Sequence, residues 1–191
     1  MDGEGKEFYP LVIDIGANDG KRLSNSWTFI VENGWKGILV EPVPQSFEKM
    51  VDNYKQSAYQ PTMGNFALSD TTGKQRMSIA GEDNMLSMFS PNEPITSDRL
   101  NIIEVDCITP QELFVTCNVK DVGVLSVDTE GHDLPIIRSM MNETEVRPQI
   151  IITETWPHLM YDTIEKHSLM LREGYTKILH CGENEIFYRS R

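Results

Sequence analysis

Val12-Ile-Asp-Ile-Gly-Ala-Asn-Asp-Gly20 is the stretch whose reading decides the fold. Val12 to Ile15 is a short run rich in β-branched residues, the pattern of a buried strand. Gly16 to Gly20 then breaks it with little side-chain bulk and with residues that tolerate positive φ. Leu23, Trp27, Ile30 and Val31 follow at helical spacing, and Gly34 stands where a helix would end. Strand, glycine turn and helix in that order are expected to bring backbone N–H groups and a helix N-terminus up to a ligand.

The turn also selects among ligands. Dinucleotide folds use G-x-G-x-x-G and rest a pyrophosphate on the helix N-terminus. Here position 18 is Asn, and Asp14 and Asp19 flank the turn. Carboxylates repel a pyrophosphate and attract an ammonium or sulfonium. The turn therefore favours a cationic nucleoside such as S-adenosylmethionine over NAD.

Working outward, Trp35 to Glu41 reads as a second strand closed by an acid and by Pro42. An acid about 20 residues past a glycine turn is placed to accept hydrogen bonds from ribose hydroxyls, which assigns that role to Glu41. Pro44 opens a helix with a Phe47, Met50, Val51, Tyr54 stripe. A third strand is expected around Pro61 to Phe66, then a turn at Thr71 to Lys74 and a hairpin return strand at Gln75 to Ile79. Gly81 to Ser97 is irregular, the pattern of a substrate lid or of a long surface connection, and its apolar residues favour the lid. Leu100 to Val105 is a strand, and Thr109-Pro-Gln-Glu112 is a capping-box helix start.

Val122 to Val127 is a strand ending in Asp128-Thr-Glu-Gly-His-Asp133, with Asp133 placed to cap the following helix. Ile150 to Thr153 is a buried parallel-type strand ending at Glu154. His158 to Glu173 reads as an amphipathic helix closed by Gly174. Tyr175 to His180 and Glu185 to Tyr188 form a terminal antiparallel pair about the Gly182-Glu-Asn184 turn. The alternation predicts an α/β, Rossmann-like fold: a mostly parallel seven-stranded sheet, helices on both faces, and a C-terminal antiparallel hairpin. Asp14, Glu41, Asp128 and Glu154 then all end strands at one sheet edge, where ligands of such sheets lie.

Composition narrows the classes. A chain of 191 residues suits one domain, taken here as 1–191. Its net charge of -12 argues against a nucleic-acid or anionic-membrane partner, both of which need basic patches. Cys107, Cys117 and Cys181 are odd in number and lack metal-site spacing, so buried thiols of a reducing compartment are expected. No apolar run reaches the ~18 residues of a membrane span, and Met1-Asp-Gly-Glu-Gly-Lys lacks a signal-peptide pattern. A cytoplasmic protein is the expectation.

These residues together resemble the FkbM-family methyltransferases of the class I S-adenosylmethionine-dependent fold. The matching stretches are Asp14 to Gly20, Ser24-Asn25, Gly34 to Pro42, Asn65 to Asp70 and Asp128 to Gly131, in the family's order between Val12 and Glu154. His132-Asp133 departs from the family's usual small residue followed by Glu. The resemblance implies that Gly16, Ala17 and Asn18 lie against the methionine portion of the cofactor, with Asp14 and Asn25 on the same side. It places Pro42 and Val43 beside the adenine, Ala67 and Leu68 at the adenine edge, and Asp128 facing the methyl donor. It also implies O-methylation of a hydroxyl on a sugar or related small natural product.

Transfer to a weakly acidic hydroxyl needs a group to take the proton. Asp128 is the first candidate and His132 the second, because its ordinary pKa lies near neutrality; Glu130, Glu154 and His158 share the edge. His167 and His180 read as structural. Asp128, Glu130 and Glu154 are also hard oxygen ligands suited to Mg²⁺, and the residue types alone do not separate metal ligands from metal-free bases, with the metal-free base the favoured reading. Other classes weighed are an NAD- or nucleotide-sugar-binding enzyme, and a non-catalytic module that keeps the cofactor fold as a binding surface.

Overall fold

The computed structural model describes residues 8–80, 86–89, 101–155 and 160–190. Its main sheet has seven strands: β1 (Leu11–Ile15), β2 (Lys36–Val40), β3 (Thr62–Gly64), β8 (Val124–Val127), β9 (Ile150–Glu154), β10 (Thr176–Cys181) and β11 (Asn184–Tyr188). Across the sheet they run β3-β2-β1-β8-β9-β11-β10. β11 is antiparallel to both its neighbours and the other pairs are parallel. The terminal hairpin therefore folds back so that its second strand, not its first, joins the sheet. The strand order reverses between β1 and β8, the place where open sheets of this kind bind ligands.

β1 alternates across the sheet, and its two faces meet different helices. Leu11, Ile13 and Ile15 pack with residues of α2 (Pro110–Thr116), α3 (Asp133–Glu143) and α4 (Met160–Arg172). Val12 packs with Leu39, Val124, Ile30 and the Met50 and Tyr54 of α1 (Pro44–Tyr54). Each such fully buried side chain contributes about 1.5–3 kcal/mol. Asp14, 3% exposed between them, is the polar exception that needs a reason.

Several expectations change. The first helix is only a single π-helical turn, Thr28–Glu32, and Leu23 is 80% exposed at φ 56. The expected helical face loses Leu23 because a loop separates the glycine turn from the helix. Gln75 to Ile79 does not return beside the third strand. It belongs to β5 (Gly73–Ala80), which pairs with β7 (Asn101–Ile108) and with β6 (Leu86–Phe89). With β4 (Ala67–Leu68) these form a second sheet, ordered β4-β7-β5-β6. Its inner face packs Val43, Ala67, Met77 and Val105 together. Of the expected lid, 86–89 is strand, and 81–85 and 90–97 lie outside the described residues, as does His158. The capping box at Thr109 and Glu112 is formed. Among the described residues, no helix is long and apolar enough to cross a membrane.

Candidate functional site

A cleft of about 280 Å³ opens at the carboxyl edge between β1 and β8, near the lower end of the ~300–1,000 Å³ usual for small-molecule sites. Of the residues singled out from the sequence, Asp14, Gly16, Ala17, Asn18, Asn25, Glu41, Pro42, Ala67, Leu68, Asp128 and Glu130 line it. Glu154 lines it too.

Gly16 has φ +81, and a Cβ there would lie 1.8 Å from the Asp128 carbonyl oxygen. The glycine is thus required by the backbone of β8, before any ligand is considered. The turn's amides are also engaged within the protein. Gly16 N and Ala17 N donate to the Val40 carbonyl at 2.9 and 3.0 Å, and Asn18 N donates to Glu41 Oε2 at 2.9 Å. Ahead of the π-helix, Ser24 Oγ takes the Ser26 and Trp27 amides, so these N–H groups are engaged as well. The expected display of N–H groups towards a ligand is therefore replaced by a turn locked onto the end of β2. Asp19 is spent locally as well, accepting from Lys21 N and Arg22 N at 2.9 and 2.7 Å. Asn53 Nδ2 and Tyr54 Oη of α1 hold the Asp19 and Gly20 carbonyls from beneath.

Asp14 accepts from Ser26 Oγ at 2.6 Å. Burial raises its pKa, and the hydroxyls of Ser26, Ser126 and Ser24 partly offset that. Asn25 donates to Ser126 Oγ at 3.1 Å, which ties the cleft's near wall to β8. Glu41 Oε2 takes Asn18 N, and Oε1 takes Val43 N at 2.8 Å. Its carboxyl is pushed up to about 7 by burial first, with the two amides pulling down and the Asp14 charge adding to the rise. The Val43 side chain is buried in the core under the second sheet, so this residue meets the site through its amide.

The far end of the cleft is acidic. Asp128, Glu130 and Glu154 have carboxylate oxygens within 4.8 Å of one another. Burial raises the Asp128 pKa well above the carboxylate range, aided by the charges of Glu154 and Asp133 and a hydrogen bond with Glu154. Its hydrogen bond with Glu154 and the surrounding charge therefore favour the protonated form of Asp128. Glu130, in a left-handed conformation at φ 53, is pushed up to about 7 by burial and then by Glu154, Asp133 and Glu183.

His132 lies elsewhere. Its Nε2 is 3.1 Å from Ser69 Oγ beside the second sheet, and it does not line the cleft. Burial lowers its pKa against the pull of Asp70 and Asp133. Asp133 is not a helix cap. His132 occupies the cap position without a side-chain capping bond, and Asp133 turns inward to accept from Thr129, Thr153 and Glu154.

A sequence profile of the FkbM methyltransferase domain matches residues 14–176. The chain belongs to the FkbM methyltransferase family. Its fold is similar to the crystal structure of the methyltransferase FkbM from Methylobacillus flagellatus KT, with a TM-score of 0.57 at 13% identity. That match covers 97% of this chain and 45% of the other, so the chain spans less than half that relative's length. Ribosomal protein L11 methylase from Lactobacillus delbrueckii subsp. bulgaricus matches at TM-score 0.50 and 8% identity, over 98% of this chain and 73% of that one. Precorrin-6y C5,15-methyltransferase from Geobacter metallireducens GS-15 matches at 0.50 and 12%, over 95% and 80%. At these identities the likeness is one of fold. No curated protein matches the sequence.

In this FkbM-family chain the cleft also has lining residues that sequence reasoning passed over, among them Met77 of β5 and Glu183 at the hairpin tip. Glu183 had a signal. Asn184 pairs with Glu154 in the antiparallel register, so the turn before it arrives at the edge where β9 ends. Thr155 N donates to the Glu183 carbonyl at 2.7 Å. Glu185, 2% exposed, anchors the hairpin through His167 and Lys177. Burial opposes its ionisation, but those two partners win and hold it at about 2. The structural reading of His167 fits this contact.

Proposed function

We propose that this FkbM-family domain binds S-adenosylmethionine in the cleft and methylates a hydroxyl of a sugar or related small natural product. The observation that carries the reading is the division of one cleft. Asp14 to Asn18, Asn25, Glu41, Pro42, Ala67 and Leu68 line one side, and Asp128, Glu130 and Glu154 line the other. Each Glu41 oxygen takes one amide and keeps a lone pair for a ribose hydroxyl. A pyrophosphate finds no such reception: the turn's amides are engaged, and among the described lining residues Arg22 is the one basic side chain. That favours the sulfonium cofactor over NAD.

S-adenosylmethionine supplies the methyl group and leaves as S-adenosylhomocysteine. As the acceptor oxygen bonds to the methyl carbon, the carbon–sulfur bond breaks and its electron pair stays on sulfur. The hydroxyl proton passes to the Asp128–Glu154 pair, whose raised proton affinity suits a base for so weak an acid. Activity on this reading rises with pH as the pair gives up its proton. Glu130 borders the same space and helps orient the acceptor, while His132, held at Ser69, is the reserve candidate. The acidic lining favours a small neutral acceptor over nucleic acid. All three cysteines are free, though only Cys107 is buried as expected and Cys181 on the terminal hairpin is exposed, and free thiols suit a cytoplasmic setting.

The 4.8 Å cluster supports a second reading, in which Asp128, Glu130 and Glu154 hold Mg²⁺. The donor type fits a hard cation, although the proton on Asp128 competes for the same oxygens. Calorimetry with S-adenosylmethionine, S-adenosylhomocysteine and NAD tests the cofactor, and NAD binding in preference to the other two overturns the reading. A screen of sugar and glycoside hydroxyls with labelled methyl donor, with and without Mg²⁺ or EDTA, tests the acceptor and the metal.

A further inference from the structure

Asp133 and Lys166 lie behind the cleft and do not line it. Both side chains are 5% exposed, with Lys166 Nζ 3.8 Å from Asp133 Oδ2. Asp133 Oδ1 accepts from Thr129 N at 3.0 Å and Thr129 Oγ1 at 2.7 Å, on the loop leaving β8. Its Oδ2 accepts from Thr153 Oγ1 at 2.7 Å and Glu154 N at 3.0 Å, at the end of β9. Lys166 donates to Thr153 Oγ1 at 2.9 Å and to the Glu154 carbonyl. One carboxylate thus grips both strand ends, and one ammonium from α4 braces that grip from the β9 side.

Packing alone does not call for such a pair. Apolar residues of similar volume commonly replace a buried ion pair at no loss of stability, whereas well-satisfied buried ions fix one arrangement. The arrangement fixed here is that of the two residues next to the gripped atoms, Asp128 before Thr129 and Glu154 itself. β8 and β9 are parallel neighbours in register up to Val127 and Thr153. Beyond that point the ladder ends, and Asp133 ties the backbones of the two ends behind the Asp128–Glu154 hydrogen bond.

We propose that Asp133 and Lys166 are positioning residues, a buried clamp that sets Asp128 against Glu154 across the acceptor end of the cleft. The proposal rests on the reading of that end as the place of methyl transfer. The clamp touches none of Asp14 to Asn18 or Glu41, so it separates turnover from cofactor binding. A misplacement of about 1 Å at a reacting group costs up to about 100-fold in rate.

The test uses Lys166→Met, Thr153→Val and Asp133→Asn, with Lys166→Met/Asp133→Asn closing a double-mutant cycle. Thr153→Val keeps the β-branched shape of the strand and removes only the hydroxyl between the two ions, so it stays informative if a charge variant fails to fold. Calorimetry with S-adenosylhomocysteine should give affinities within about twofold of wild type. With an acceptor from the screen, kcat should fall roughly 10- to 100-fold, and the double variant should cost less than the product of the two singles. The acceptor-free readout is the amide NMR spectrum. Lys166 does not touch Thr129, yet Lys166→Met and Thr153→Val should shift the Thr129 and Glu130 resonances and leave 14–18 in place. Shifts confined to 153 and 154, or an unchanged kcat, overturn the clamp. If Asp128→Asn turns over at the wild-type rate while the Thr129 shifts appear, the assignment of the base fails and the clamp stands.

Discussion

Replacing Glu41 by Gln separates the two tasks of this side chain, because Gln keeps the shape, loses the charge and cannot titrate. The carboxylate accepts backbone amides on both oxygens. The Gln NH₂ must therefore face either Asn18 N or Val43 N, leaving one buried amide without an acceptor at a cost of about 1–3 kcal/mol. Against that stands the burial of a charge. The carboxyl ionises at about 7, not at its ordinary 4.5, so folding favours its protonated form. That contribution to stability is fully present below pH 4.5 and is lost as pH rises through 7, a change of about 3 kcal/mol. Urea unfolding at pH 4.5, 6 and 8 should show wild type losing ground to Glu41→Gln across this window by about that amount. Ribose hydroxyls bind better to the ionised carboxylate. S-adenosylhomocysteine affinity should therefore rise with pH through about 7 in wild type, with protons released on binding, and this dependence should shrink in the variant. Loss of a charged acceptor costs about 1.5–3 kcal/mol, or roughly 10- to 150-fold in Kd at pH 8. Calorimetry in buffers of different ionisation enthalpy reads both the affinity and the proton count. Affinities within threefold at pH 8, with the same proton release in both proteins, refute the ribose assignment.

Asp128→Asn should keep S-adenosylhomocysteine affinity within a few-fold while turnover falls by about 10²–10⁴; wild-type turnover in a kinetic assay would make Asp128 structural. Gly16→Ala forces a side chain against the Asp128 carbonyl at positive φ. It should lower unfolding free energy by at least about 2 kcal/mol in urea titration, and wild-type stability would show that the turn relaxes. Arg147 binds the Thr144, Val146 and Met141 carbonyls and Glu173. Arg147→Ala should cost about 2 kcal/mol in thermal or urea unfolding without changing cofactor affinity, and altered affinity would link this corner to the cleft. EDTA should leave turnover unchanged if the carboxylates work without metal, and a loss restored by Mg²⁺ would make them ligands.

What the sequence made legible was periodic or punctuated. β-branched runs gave the parallel strands, and Pro44, Gly34 and Gly174 marked helix ends. The acids Asp14, Glu41, Asp128 and Glu154 could be placed at one edge because parallel strands all end there. The second sheet was not legible. Gln75 to Ile79 alternates equally well for any partner, and its pairing with β7 instead of the third strand is a long-range pairing that no local turn residue announces. The same holds for the helix after the glycine turn, where apolar spacing at Leu23 suited a helix that Ser24 and Asp19 capture as loop.

Within the site, residue type predicted location better than it predicted occupation. Asp19 and Asp133 are acids beside the cleft, yet Asp19 Oδ1 is committed to Lys21 and Arg22, and both Asp133 oxygens to Thr129, Thr153 and Glu154. Short polar side chains next to turns bond neighbouring amides readily, so an acid following a glycine turn is as well suited to build the turn as to meet a ligand. Glu41 and Asp128 differ in that they stop strands, where the ladder ends and a carboxylate has room to accept both from its own backbone and from a guest. A carboxylate with two amides and spare lone pairs is a fixed acceptor, and one hydrogen-bonded to a neighbouring carboxyl is a poised base. That difference in partners, invisible in the letters Glu and Asp, is what the proposed function uses to assign a binding side and a reacting side to the cleft.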